Sequence, residues 1–172
     1  KIISEDQRVN KLYEMFIQTQ KNNIQGLLVD CPHREQAQYL GDSDIQLESI
    51  ISNVHESEYL IEKVLTDFMY EQFSDGTFPF VAPTNFVEPF TIKIPEYDLY
   101  FGSILNKLYE VTNDIQRVKK YLPTFIKTLE YSISLIDEKN IVRKTKEWHI
   151  SDWPYPTVDQ DSEYLTTYNL LF

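Results

Sequence analysis

The spacing of apolar residues along the first part of the chain predicts helices. Apolar side chains recur at three- and four-residue intervals from Val9 to Ile17, and Ser4 followed by Gln7 has the form of a capping box. Two further stripes, Leu47, Ile50, Ile51, Val54 and then Leu60, Ile61, Val64, Leu65, Phe68, Met69, predict a second and a third helix. The link around His55 is short, so we expect these two helices to be antiparallel neighbours.

Two stretches break this helical spacing and are predicted to be loops. In residues 74–94, Asp75-Gly76 is a turn signal, and three prolines exclude a helix: Pro79, Pro83 and Pro89. A loop of this length in a compact domain is usually functional. The second stretch, "EWHISDWPYPTVDQDSE", covers residues 147–163 and is both polar and aromatic.

Helical spacing returns between and after these loops. Pro95 suits the first turn of a helix, and the run Thr112, Asn113, Asp114 caps a further helix that extends to about Ile136. Pro123 predicts a kink or a break in that helix. The final "YLTTYNLLF" opens another helix. No run alternates at period two for long enough to form a sheet, so the pattern predicts an all-α fold built from αα-hairpins.

Composition and charge limit the kind of protein. With 172 residues and 42% hydrophobic content, residues 1–172 are expected to form a single unit with a core. The net charge of -11 argues against a nucleic-acid partner, since phosphate-binding surfaces concentrate lysine and arginine. The chain shows neither a membrane span nor a signal peptide, and its one cysteine, Cys31, cannot form an internal disulfide. We therefore expect no membrane association and a cytoplasmic location.

The stretch "VDCPHREQAQYLGDSD", residues 29–44, concentrates unusual chemistry but fails two metal-site patterns. His33-Arg34-Glu35 matches the H-x-E of zinc deaminases, yet the chain has no later P-C-x-x-C. A calcium loop that begins at Asp42 would require glycine where Leu47 stands. Because Cys31 and His33 supply two ligands at most and a structural zinc site uses four, we expect no metal and no cofactor.

The same stretch contains a carboxylate cluster: Asp30, Glu35, Asp42 and Asp44, with Arg34 among them. Crowded carboxylates raise one another's pKa, and an acid that is protonated near neutral pH can donate to a leaving oxygen. Glycoside hydrolysis needs such an arrangement. The alternative interpretation is structural: Asp30 and Asp42 cap helices, Arg34 pairs with one of them, and the remaining charges form a solvated face.

The segment "DCPHREQAQYLGD" resembles the signature of the inverting α-L-rhamnosidases of glycoside hydrolase family 78, whose commonest form is D-C-P-Q-R-D-E-R-L-G-W-x-G-D. Further segments resemble later landmarks of that catalytic domain in the same order: "TQKNN" before it and then "DFMYEQFSDGTFPFVAP", "IPEYDLY", "YEVTND", "SDWPYPTVD" and "YNLLF". The resemblance covers essentially the whole chain. It implies the first half of an (α/α)₆ toroid, with the catalytic base, a glutamate, supplied by the second half.

The resemblance also implies roles for the charged residues of the motif, which is one residue shorter than the common form. Counting from both ends places the deletion between Arg34 and Glu35. Glu35 then corresponds to the general acid, and Arg34 to an arginine that binds the sugar and tunes its neighbours. Asp30 and Asp42 would hold sugar hydroxyls and stabilise the oxocarbenium-like transition state.

Aromatic residues complete the site that the resemblance implies. Tyr39 stands where the common motif has tryptophan and could pack on the apolar face of a deoxy sugar. Asp152 and Trp153 match a landmark of the sugar pocket. For Trp148 two interpretations stay open, a place in the pocket or ordinary core packing. The tyrosines on the helical stripes are expected to be core residues.

The function implied is release of terminal L-rhamnose from rhamnose-containing glycosides with inversion, in a fragment that lacks the general base and is inactive alone. The alternative is a non-catalytic helical carbohydrate-binding or interaction module derived from this fold. Half a toroid leaves apolar hairpin faces uncovered, so we expect a homodimer or pairing with the missing C-terminal half of the domain.

Overall fold

The computed structural model describes residues 3–85, 87, 91–150 and 159–172. These ranges contain six α-helices: α1 Gln7–Asn23, α2 Leu40–Asn53, α3 Glu58–Glu71, α4 Pro95–Thr112, α5 Ile115–Ser134 and α6 Thr166–Leu171. Extended pairing in the described ranges is limited to two isolated bridges, Ile24 with Leu28 and Ile136 with Val142. The all-α prediction is confirmed. None of the described helices is long and apolar enough to span a membrane.

The start of α1 differs from the predicted capping box. The helix begins at Gln7, and its cap is Asp6, whose carboxylate accepts the backbone N–H of Arg8 at 2.9 Å. Ser4 instead accepts the backbone N–H of Asp6 at 3.2 Å. Aspartate and serine cap helices about equally well, so the side chain nearer the first turn takes the role.

The helix boundaries around α4 and α5 follow the sequence, but Pro123 does not break α5. Pro95 is the first residue of α4, and Asn113 ends that helix with a left-handed φ of 50°. Asp114 caps α5 by accepting the backbone N–H of Gln116 at 2.8 Å. Of the kink or break predicted at Pro123, the break is excluded because α5 is continuous from Ile115 to Ser134, and the kink stays a prediction. A proline removes one helical N–H, and buried residues on both sides of it keep the helix packed.

The core is organised around α4, which contacts α2, α3, α5 and α6. Helices α2 and α3 also pack on each other, as predicted for neighbours joined by a short link. Phe78, from the loop after α3, packs edge-on against Phe68 at 5.7 Å and stacks on Phe101 of α4 at 5.3 Å. The loop thus contributes an aromatic side chain to the centre of the core, which explains why it can hold a defined shape.

Helix α1 lies on the outside of the described structure. It has no buried residue and packs on one other described helix, α2. Its apolar side chains are open to solvent, with Leu12 67% and Met15 59% exposed. Polar contacts attach it, among them the Tyr13 hydroxyl, which donates to Asn53 at 2.9 Å. The predicted apolar stripe therefore exists, but the described residues do not cover it.

The turn predicted at Asp75-Gly76 is confirmed. It also packs the loop after α3 closely against the backbone of α5. Gly76 has a φ of 94°, and a Cβ added there would lie 2.4 Å from the carbonyl oxygen of Lys127. Only glycine fits both constraints. Asp75 accepts the Thr77 hydroxyl at 2.6 Å and the Lys93 ammonium at 2.9 Å. The described parts of the loop, up to residue 85 and from 91 to 94, contain no helix, as predicted.

Candidate functional site

The loop between α1 and α2 is held closed by its own backbone and by one buried glutamine. The N–H of Asp30 donates to Ala37 O at 2.9 Å, and Ala37 N–H donates to the Asp30 carboxylate at 3.1 Å. Gln38 is 1% exposed; it accepts Leu28 N–H at 3.0 Å and donates to Ala82 O at 2.8 Å. Gln38 thereby ties this loop to the loop after α3, a role that the sequence analysis missed.

A cleft of about 250 Å³ opens beside this loop. We call its two sides the motif wall, formed by residues 30–42, and the far wall, formed by residues 94–97 and 148–150. The lining residues are Asp30, Arg34, Glu35, Tyr39 and Asp42 on the motif wall and Ile94, Tyr97, Trp148 and Ile150 on the far wall. The structure thus gathers every described residue of the predicted site in one cleft. Asp152 and Trp153 lie outside the described residues.

Glu35 is ionised in this arrangement. Its Oε1 accepts Nε of Arg34 at 2.5 Å, and its Oε2 accepts the Cys31 thiol at 2.8 Å. The hydrogen bond from Arg34, and after it that from Cys31, lowers the pKa of Glu35 to about 2. The crowding argument predicted a raised pKa, and the adjacent guanidinium reverses it. The Arg34 side chain is 70% exposed, so it is free of tight packing.

The pKa of Asp42 is raised, by burial first and by the neighbouring carboxylates second. This residue lies in the first turn of α2, and of those carboxylates Asp30 contributes most. Burial first, and then the charges of Asp30, Glu35 and Asp42, raise the pKa of Tyr39 to about 12. Tyr39 therefore presents a neutral hydroxyl at neutral pH, and its ring packs edge-on against Phe80 at 5.8 Å.

The structural alternative for the motif, in which Asp30 and Asp42 cap helices, does not describe what is observed. Tyr39 precedes α2 and makes no side-chain capping bond. The Asp30 carboxylate closes its own loop. Arg34 pairs with Glu35 and not with either aspartate. Asp30 and Glu35 are therefore held by contacts within the loop, whereas Asp42 is held in the first turn of α2.

Asp44 belongs to a different part of the molecule. Its carboxylate accepts the ammonium of Lys107 on α4 at 2.7 Å, and the two side chains are about one-tenth exposed. Asp44 does not line the cleft. It lies two residues beyond Asp42, so the α-helical turn points it away from Asp42 and into the α2–α4 contact. Its inclusion in the predicted cluster is wrong.

Three groups of the motif wall could offer ligand atoms to a metal. One atom each from Asp30, Cys31 and Glu35 lies within 4.8 Å of the others. A structural zinc site uses four ligands. Of these three residues, Cys31 and Glu35 are already hydrogen-bonded to each other. The arrangement matches a hydrogen-bonded acidic site more closely than a metal centre.

The far wall combines Trp148, for which the sequence left two interpretations open, with residues that were not predicted to belong to the site. Trp148 is 42% exposed and lines the cleft, so the core-packing interpretation does not apply to it. The tyrosines on the helical stripes were predicted to be core residues. Tyr97 departs from that prediction because it lines the cleft. Behind them, His149 contacts Glu96 at 2.6 Å. The sequence features that could have pointed to this pair are the acidic residues in the first turn of α4 and the histidine that follows a tryptophan.

Asp98, in the same turn of α4, is a structural acid. It is 4% exposed and accepts the backbone N–H of Phe78 at 3.3 Å. Burial raises its pKa well above the usual range. It anchors the loop after α3 to the start of α4, close to the far wall.

Helical hairpins packed beside an acidic and aromatic cleft are the architecture of a six-hairpin glycosidase domain. The chain belongs to the family described as the bacterial alpha-L-rhamnosidase 6 hairpin glycosidase domain, whose model matches residues 1–171. Among solved structures it is similar to a rhamnosidase from Klebsiella oxytoca with rhamnose bound, at 21% identity and a TM-score of 0.66. That match covers 84% of this chain and 28% of the Klebsiella chain, and it supports the fold. No curated protein matches the chain.

Proposed function

We propose that this chain supplies the sugar-binding part of an inverting α-L-rhamnosidase that releases terminal L-rhamnose from glycosides. The observation that carries the proposal is the cleft, where the predicted acids and aromatic residues meet. Two carboxylates, Asp30 and Asp42, would hold sugar hydroxyls. Tyr39 and Trp148 would pack on the apolar face and the methyl group of the sugar.

In the proposed reaction Glu35 donates a proton to the glycosidic oxygen. This requires Glu35 to be protonated, whereas its bond to Arg34 keeps its pKa at about 2. We propose that the bound sugar draws the exposed Arg34 side chain onto its hydroxyls, so that Glu35 loses its nearest cation and its pKa rises. Water, activated by a base outside this chain, would then attack the opposite face of the sugar. Inverting acids and bases stand roughly 6.5–9.5 Å apart to admit that water.

The test is Glu35→Gln in a protein that contains the whole six-hairpin domain. A general acid contributes on the order of 10²–10⁴ in rate, so turnover of a natural rhamnoside should fall by about that factor. An aryl rhamnoside has a leaving group that needs little protonation, and its turnover should fall much less. Equal losses on the two substrates would remove Glu35 from the role of acid.

We propose that residues 1–172 form the N-terminal half of such a domain. The proposal rests on the resemblance of the ordered sequence landmarks to the first part of that domain, and this chain spans only 28% of the Klebsiella oxytoca chain it matches. The uncovered apolar side of α1 is a contact surface that either the remaining hairpins or a second copy of the chain would cover.

One observation favours the alternative, a carbohydrate-binding module without catalysis. In the described structure Glu35 is ionised and bonded to Arg34, which suits a group that accepts sugar hydroxyls and not one that donates a proton. For a binding module, the whole domain should bind L-rhamnose and hydrolyse neither class of rhamnoside. Turnover by the wild-type domain would exclude this alternative.

A further inference from the structure

Glu96 and His149 form a buried hydrogen-bonded pair whose members are 53 residues apart in the chain. Nδ1 of His149 lies 2.6 Å from Oε1 of Glu96, and the His149 and Glu96 side chains are 0% and 1% exposed. The backbone N–H of Thr145 donates to Nε2 of His149 at 3.0 Å, so Nε2 is an acceptor. The ring proton is therefore on Nδ1, and it is donated to Glu96.

This pair joins the two segments of the far wall. Glu96 lies in the first turn of α4, and His149 lies in the loop after α5. The residues of the far wall that flank the pair are Ile94, Tyr97, Trp148 and Ile150. A buried hydrogen bond thus joins the two segments of this wall.

Among the described residues, the Glu96 carboxyl group depends on His149 for its hydrogen bonding. Oε2 of Glu96 has no hydrogen-bond partner there, so the bond to His149 is the one hydrogen bond of that carboxyl group. A buried carboxyl group that loses its last partner is strongly unfavourable. On the other side, Gln160 donates to the backbone O of His149 at 2.6 Å and holds the loop in place. His149 can therefore not turn away from Glu96 without a large penalty.

We infer that the Glu96–His149 pair positions Trp148 as the aromatic surface of the far wall. The His149 side chain does not itself line the cleft. Its buried ring fixes the backbone from which Trp148 projects into the cleft. Both members are positioning residues, since neither side chain is open to a ligand in the cleft. The inference rests on the proposed function in one respect, that the ligand which packs on Trp148 is L-rhamnose.

Three variants of the full chain separate positioning from general stability. His149→Leu removes the hydrogen bonds of the ring to Glu96 and to Thr145. His149→Asn keeps an N–H donor close to the place of Nδ1. Lys107→Met is the matched control, because it also leaves a buried carboxylate, Asp44, without its partner, but away from the cleft. The first readout is the indole N–H NMR signal of Trp148 without sugar, assigned by its loss in Trp148→Phe. The second is the Kd for L-rhamnose.

We expect His149→Leu to shift or split the Trp148 signal and to weaken L-rhamnose binding by about 10- to 100-fold, as small misplacements of binding groups do. His149→Asn should restore most of both readouts. Lys107→Met should lower the thermal unfolding midpoint and leave the Trp148 signal in its wild-type position. A merely structural pair would instead make His149→Leu and Lys107→Met behave alike.

A folded His149→Leu protein with the wild-type Trp148 signal would overturn the inference, and so would an equal shift in Lys107→Met. If His149→Leu does not fold, Glu96→Asp decides, because it withdraws the acceptor by one methylene; an unchanged Trp148 signal in that variant overturns the inference. If the wild-type chain binds no L-rhamnose while His149→Leu shifts the Trp148 signal, the proposed function fails and the positioning role stands.

Discussion

The two walls of the cleft are held in different ways. The motif wall presents groups that are close in sequence, and its central contact joins the neighbours Arg34 and Glu35 at the surface. The far wall depends on a buried bond between Glu96 and His149, which come from distant segments. The difference teaches that the charges of the motif wall depend on local, exposed contacts, whereas the segment that carries Trp148 is held by a buried bond between distant parts of the chain.

The largest effect on the motif wall is expected from Gln38, its one buried anchor. Gln38→Leu leaves Leu28 N–H and Ala82 O buried without these partners. Each buried unsatisfied group costs about 1–3 kcal/mol, so for these two groups urea unfolding should show a loss of about 2–6 kcal/mol. The exposed Gln18→Ala on α1 is the control and should change stability by less than about 0.5 kcal/mol. A Gln38→Leu protein with the same free energy of unfolding as wild type would show that the hydrogen bonds of Gln38 do not stabilise the motif wall.

A smaller effect, on the charge of Glu35 and through it on the pH dependence of stability, is expected from Arg34→Met. Removal of the guanidinium should raise the pKa of Glu35 from about 2 toward its ordinary value of 4.5. A carboxyl whose folded pKa is depressed stabilises the fold above its unfolded pKa and loses that contribution as the pH falls through the folded pKa. Any stability difference between wild type and Arg34→Met should therefore be present above pH 4.5 and disappear near pH 2.

Titration of the Glu35 carboxyl carbon by NMR checks this directly. Lys11→Met, an exposed change on α1, serves as the control for the loss of one positive charge. A Glu35 pKa that stays near 2 in Arg34→Met would assign the shift to the Cys31 thiol, and the motif wall would then be less adjustable than its exposed arginine suggests.

The motif wall was predictable from the sequence because its groups lie within thirteen positions, from Asp30 to Asp42. A loop of that length must bring them near one another. The helices were predictable from periodicity, and their ends from Pro95, Asn113 and Asp114, whose conformational preferences are strong.

The far wall and the anchors were not predictable because they depend on contacts between distant segments. Gln38 meets Ala82, Lys107 meets Asp44, and His149 meets Glu96 only once the helices have packed. A single polar residue in a sequence carries no mark of such a partner. The sign of the Glu35 pKa shift was also missed, because spacing showed the neighbouring carboxylates but not the direction of the Arg34 side chain.

The measurement that tests the central claim most directly is a titration of the chain with L-rhamnose, followed by the indole N–H signal of Trp148. D-rhamnose is the matched control for nonspecific sugar effects. Asp30→Asn is the matched variant, since an amide oxygen can still accept Ala37 N–H while the charge is lost. The account predicts a saturable shift with L-rhamnose in the wild-type chain and little or none with D-rhamnose or in Asp30→Asn. A folded wild-type chain whose Trp148 signal does not move with L-rhamnose would contradict it.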